Sequence, residues 1–272
     1  MKRIGFIDYY ISEWHANNYP AWIRDAGKKL GLDYEVSYAW AERDVSPVDG
    51  VTTDAWCETM GVTRCGTVEE LCEKSDVILI LAPSDPDPHL RYAEIALQYK
   101  KPTYIDKTFA PDTETAEKIF ALAEKYGTPF FTTSALRYAS ELAAFAGAED
   151  LIITGGGGNF PEYIIHTAEM AVILLHDAVS SAETEKLGSQ RICRIRTESG
   201  KNACIIYSPA MNFSVTAKLP DGSHLRQEIT SDFFTALMED ILRFYASAEP
   251  PFDPAQTMEV MRLRTMLLKN EA

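Results

Sequence analysis

Residues 3–23 read RIGFIDYYISEWHANNYPAWI. Ile4 to Ile7 form an apolar run of strand length, a turn follows, and a helix-like segment comes next. A strand, a turn and a helix in this order open the nucleotide-binding α/β domains. The turn, however, holds Asp8, Tyr10 and Glu13 where a dinucleotide fingerprint carries three glycines.

Outward from that stretch, strand and helix signals alternate. A helix is predicted over 18–30, stopped by Gly31, and a strand over 34–39. Thr67 and Glu70 have the spacing of a capping box that opens a short helix. The run DVILIL, 76–81, is continuously apolar after its first residue, as a strand buried on both faces of a parallel sheet must be. Helices are predicted over 87–99 and 112–126, the second closed by Gly127, and short strands over 103–105 and 128–132. Repeated β-α units of this length imply a parallel sheet with right-handed crossovers.

The pattern changes near residue 134. Gly155–Gly158 reads as an adaptable loop that leads through Asn159 and Pro161 into a strongly apolar helix, about 161–175, with Asn159 or Phe160 as its cap. Segments 191–197, 203–207, 212–219 and 224–229 follow with turn residues between them, an expected antiparallel meander. Helices over 232–246 and 254–269 finish the chain. The expected architecture is α/β: a Rossmann-like doubly wound parallel sheet over 1–133, then an α+β domain with an open antiparallel sheet over 134–272. The C-terminal helix is allowed to pack back on the first domain.

The chain has 272 residues, 46% of them hydrophobic, enough for a substantial core. Its net charge of −14 argues against nucleic-acid and anionic-membrane binding, which need a cationic surface. Five cysteines without paired spacing suggest reduced thiols. No apolar run has the length of a secretion signal or a bilayer span, so the expectation is a cytoplasmic protein.

Several stretches, taken in order, resemble the Gfo/Idh/MocA family of glucose–fructose oxidoreductase and inositol dehydrogenase relatives. They are Asp76–Pro83 followed by His89, then Tyr104-Ile105-Asp106-Lys107-Thr108, Arg137-Tyr138, and Glu162-x-x-x-His166. The resemblance runs over most of the chain. It implies hydride transfer between NAD or NADP and a sugar or polyol derivative. It also implies a homo-oligomer formed through the antiparallel sheet. On that resemblance, Lys107 holds a substrate hydroxyl, and His166 is the general acid or base oriented by Glu162. Arg137 and Tyr138 meet substrate oxygens. Asp8, Tyr10, Ile11, Glu42, Arg43, Ala82, Pro83, His89 and Asp106 line the cofactor.

The departures from the family weigh against its cofactor. Two unit charges ~5 Å apart repel by roughly 3 kcal/mol at an effective dielectric near 20, and Asp8 and Glu13 bring two carboxylates towards a dianionic diphosphate. The same carboxylates can cap the helix instead. A relative that kept the fold but lost NAD(P), serving as a ligand-binding or partner subunit, is therefore an open alternative. For His166, a satisfied His–Glu pair in an apolar helix is equally open. For Glu42 and Arg43 the alternative is a solvated charge cluster, and for His89 it is helix capping. Glu162, His166 and Glu169 lie at i, i+4 and i+7, so a divalent-metal site with His176 or Asp177 is a third reading.

Overall fold

The computed structural model describes residues 1–83 and 85–269. They form two compact units: Met1–Thr132 with Phe234–Phe252, and Thr133–Phe233 with the chain from Asp253.

The first unit is built on six parallel strands in the order β3-β2-β1-β4-β5-β6. They are β1 (Lys2–Asp8), β2 (Tyr34–Ala41), β3 (Thr63–Arg64), β4 (Val77–Ile80), β5 (Thr103–Ile105) and β6 (Phe130–Phe131). The helices between them are α1 (Trp14–Leu30), α2 (Thr53–Met60), α3 (Val68–Lys74), α4 (His89–Ala96) and α5 (Thr113–Tyr126). β1 and β4 pair directly, with Ile4, Phe6 and Ile7 opposite Val77, Leu79 and Ile80. All of these are buried, and each such side chain contributes roughly 1.5–3 kcal/mol on leaving water. The strand order reverses at β1, which makes the carboxyl ends of β1 and β4 the topological switch point.

α1 begins at Trp14, four residues before the start expected from the sequence. Glu13 is its N-cap in extended conformation, and a capped N-terminus outweighs the break that Pro20 signals. Gly31 closes the helix with φ 67°, as the sequence predicts.

The second unit holds β7 (Asp150–Gly155), α6 (Phe160–Leu175), β8 (Val179–Leu187), β9 (Gln190–Thr197), β10 (Asn202–Tyr207), β11 (Ser214–Lys218), β12 (His224–Glu228) and α8 (Pro254–Lys269). Its sheet runs β12-β11-β7-β10-β9-β8. The expected meander is there, but β7 enters between β11 and β10 and pairs parallel with β10, so the sheet is mixed. α6 packs on β7, β10 and α8 and is buried nearly all round, which is why its sequence shows no polar face. The opposite face of the sheet carries half-buried Ile192, Cys204 and Ile206 and exposed Ile152.

The helix α7 (Phe233–Ser247) runs almost wholly in the first unit, not the second. Its Tyr245 hydroxyl donates to the carbonyl of Ile78, and its Glu239 accepts from Lys29 on α1. The helix that returns to the first unit is thus the penultimate one, while α8 packs on α6 and β8.

Candidate functional site

At the switch point the turn after β1 is filled by the chain's own carboxylates. Glu13 accepts from the backbone N–H of His15 at 2.8 Å and from that of Ala16. Asp8 Oδ1 accepts from the N–H of Tyr9 at 2.6 Å and from that of Ala82, beyond β4, at 3.0 Å. Ala82 holds a left-handed backbone, φ 67°, to present that donor. His15 lies between two acids: Nδ1 is 3.2 Å from Glu13 Oε2, and Nε2 is 3.8 Å from Asp106 Oδ2. Asp106 Oδ1 accepts from the hydroxyls of Tyr19 and Tyr104, both at 3.3 Å. Asp8 and Asp106 are each 1% exposed, and their Oδ2 atoms have no hydrogen-bond partner among the described residues. The sequence does not mark His15, Tyr19 and Tyr104 as members of this cluster. Only the i, i+4 spacing of His15 and Tyr19 hints at it in sequence.

Burial holds the Asp8 carboxyl well above its ordinary value, helped by the charge of Glu13 and less by that of Asp106, against the two N–H donors. The folded chain therefore keeps a proton that the unfolded chain releases. That contribution is full below the ordinary carboxylate value and is lost as pH rises through the raised one. One such proton gives a slope of about −1.4 kcal/mol of stability per pH unit. Asp8→Asn keeps the Oδ1 acceptor and removes the titration. Its stability relative to the native chain should climb steadily from pH ~4 upward in urea unfolding; a pH-independent difference would refute the assignment.

The other expected cofactor residues are committed within the unit. Glu42, just past β2, accepts from Arg91 at 2.9 and 2.5 Å and from the Tyr92 hydroxyl at 2.8 Å. Arg43 lies over the ring of Tyr9, 5.6 Å from its centre. Ile11 is buried. His89 opens α4 but does not cap it. Its ring bridges the carbonyls of Phe109, at 2.9 Å, and Leu81, and burial holds its pKa below the ordinary imidazole value. It is a strut between the ends of β4 and β5. Lys107, two residues past β5, is half-buried with Nζ 3.4 Å from the carbonyl of Pro83.

In the second unit, Asn159 caps α6 by accepting from Glu162 N–H, and its Nδ2 donates to Glu162 Oε2 at 2.9 Å. One oxygen of Glu162 is thus held in the cap. The His166 imidazole has Nδ1 2.7 Å from Ser134 Oγ, which also accepts from the N–H of Leu136. Tyr163 and Phe213 flank the ring at 5.7 and 5.8 Å between centres.

Arg137 is ion-paired with Glu169 at 2.6 Å, and both side chains are largely buried. Its Nη1 donates to Gln256 and its Nε also to Thr133. The charge of Arg137 is thus matched inside the unit. Tyr138 lies beside it in the same helical turn, 135–138.

The metal reading fails on the same contacts. Glu162 is held by Asn159 and Glu169 by Arg137, while His176 is the left-handed C-cap of α6 and Asp177 accepts from Ser199. Among the described residues, no three His, Cys, Asp or Glu side chains are placed to hold a metal ion. No described helix is long and apolar enough to cross a membrane.

No family model and no curated protein sequence matches the chain. Solved structures match it over nearly its whole length. One is the myo-inositol dehydrogenase of Lactobacillus casei in complex with NAD(H) and myo-inositol, with TM-score 0.79 and 12% identity over 99% of this chain and 94% of that one. Another is the UDP-N-acetylglucosamine 3-dehydrogenase of Acidithiobacillus ferrooxidans, with TM-score 0.74 and 14% identity over 100% and 99%. A third is the biliverdin reductase of Synechocystis with biliverdin and NADP+, at 0.74 and 15% over 98% of each chain. The fold is that of the Gfo/Idh/MocA-type dehydrogenases, as the resemblance in sequence predicted.

NAD(P), the group this fold implies, does not fit the first turn of this chain. The N–H groups of His15 and Ala16 that would face a diphosphate already donate to Glu13. A second anion there would meet a carboxylate and not a free helix terminus.

Proposed function

We propose that the chain is a Gfo/Idh/MocA-type protein whose ligand is a sugar or polyol derivative. The observation that carries this is the full-length likeness of its fold to dehydrogenases, one of them solved with myo-inositol bound. Two of the chain's own groups suit such a ligand. The Lys107 ammonium can donate to a hydroxyl, and a charged donor of this kind is worth ~1.5–3 kcal/mol. The half-exposed His166 can take or return a hydroxyl proton, with its ring orientation set by Ser134.

Two readings share this ligand. An oxidoreductase would pass hydride between NAD(P) and the polyol, and the likeness to dehydrogenases favours it. A binding or partner subunit would hold the polyol without a dinucleotide, and the hold of Glu13 on the N-terminus of α1 favours that.

Calorimetric titration with inositols, hexoses and their amino derivatives, in the absence of nucleotide, tests the ligand. At least one should bind saturably. Lys107→Ala should weaken it by about tenfold or more, and His166→Ala should alter the pH dependence of binding. If no polyhydroxylated compound binds, with or without nucleotide, the proposal fails.

A further inference from the structure

We infer that this chain does not hold NAD(P), because its own buried carboxyl groups occupy the backbone N–H groups with which the dinucleotide fold grips the diphosphate. The inference concerns the nucleotide site alone and is independent of the polyol reading above.

A dinucleotide needs two kinds of purchase at the switch point of a parallel sheet: free N–H groups at the first helix for the diphosphate, and an acid past the second strand for the ribose. Here four backbone donors at that point are already taken. His15 and Ala16 give theirs to Glu13, and Tyr9 and Ala82 give theirs to Asp8. Glu13 is 8% exposed and Asp8 is 1% exposed, so neither is a surface side chain that swings away at no cost. His15 Nδ1 also lies 3.2 Å from Glu13 Oε2, the oxygen that accepts the His15 N–H. The acid past β2 is Glu42, an exposed side chain whose Oε2 already accepts from Arg91 and from the Tyr92 hydroxyl, so a ribose would compete with them there. Tyr9 carries Arg43 on its face, which ties the neighbouring cation to the same turn.

A diphosphate could enter only by displacing Glu13 from two N–H groups and then lying beside it. One like charge at ~5 Å lowers affinity on the order of a hundredfold at an effective dielectric near 20. Glu13 thus does for α1 what phosphate does elsewhere in this fold. It supplies the anion that a helix N-terminus favours, and supplies it permanently.

The test is calorimetric titration of the full chain with NADH, NADPH and ADP-ribose, beside hydrogen exchange of the backbone amides. The native chain should show no saturable binding up to about 1 mM. Exchange at His15, Ala16, Tyr9 and Ala82 should be slow without nucleotide and unchanged with it. Glu13→Gln keeps an acceptor at the cap and removes the charge. It and the Asp8→Gly/Tyr10→Gly/Glu13→Gly variant, each checked for folding by circular dichroism, should gain affinity for ADP-ribose by at least about tenfold. Native binding in the micromolar range, or nucleotide-dependent slowing at His15 and Ala16, would overturn the inference. A folded Glu13→Gln protein with no gain would remove Glu13 as its cause.

Discussion

Glu169→Leu is expected to cost the second unit about 3–5 kcal/mol, because it leaves the Arg137 guanidinium buried without its carboxylate. The pair is 2.6 Å apart, with the Arg137 side chain 11% exposed and that of Glu169 5%. Glu169 also accepts from the Thr133 hydroxyl and sits 3.5 Å from the N–H of Ser134. Ser134 in turn meets His166. The substitution should therefore loosen the histidine as well as the fold, and two measurements separate these effects. Urea unfolding followed by far-UV circular dichroism reads the stability. The His166 ring resonances, followed by NMR against pH, read its environment.

Arg137→Met/Glu169→Leu should recover most of the loss, since replacing both ions by apolar groups of similar size is close to neutral. The recovery will be incomplete, because Arg137 also donates to Gln256. A loss below about 1 kcal/mol in the single variant would mean that water or another cation enters to compensate, and the pair would then be no more than a surface contact in energetic terms.

That pair marks a limit of what the sequence discloses. Arg137 and Glu169 are 32 residues apart, and no local rule joins them, so each invites a functional role when read alone. β1 and β4 were legible because strands buried on both faces need unbroken apolar runs, and IGFI and VILIL have them. The ends of α1 and α5 were legible because Gly31 and Gly127 take the left-handed conformation that stops a helix. A cap at Asn159 or Phe160 was legible for the same kind of local reason, and it is Asn159.

β7 and β8 were not. β7 is only six residues long and its place in the sheet comes from a parallel pairing with β10, about fifty residues later. β8 is a polar edge strand, VSSAETEKL, whose alternation is weak. Glu162 and His166 do share a helix face, yet a shared face does not choose a rotamer. Asn159, three residues before Glu162, offers a nearer donor and takes the carboxylate into the cap. In the first turn the reading went further. Asp8 and Glu13 read as carboxylates able to cap the helix; Glu13 does cap α1, whereas Asp8 accepts from Tyr9 and Ala82. What the sequence did not show is that Arg91 and Tyr92 would reach Glu42 from α4, about fifty residues away.

The glycine run 155–158 invites reading as an adaptable loop, and the geometry instead makes it a packed crossing. Gly156→Ala is expected to cost about 3 kcal/mol or more. A Cβ at 156 would lie 2.6 Å from the carbonyl oxygen of Met211 and 2.9 Å from its nitrogen, and closer still to the carbonyl oxygen of Ser208. All three are backbone atoms, so no side chain can turn aside. The neighbour, Gly157, has φ 146° and lies against the ring of Tyr163, while its carbonyl accepts from the Tyr207 hydroxyl at 2.9 Å. The run therefore sets the approach of β7 to segment 208–211 and the entry of the chain into α6. Displacing it should shift the first turn of α6, where Tyr163 packs beside His166. The expected result is a lower unfolding midpoint together with faster amide exchange in residues 159–164. By contrast, Gly158→Ala, whose Cβ would meet only the Tyr163 ring at 3.7 Å, should change stability by no more than about 0.5–1 kcal/mol. Equal effects at the two positions would mean that the run is an adaptable loop and that the contacts of Gly156 do not hold it in place.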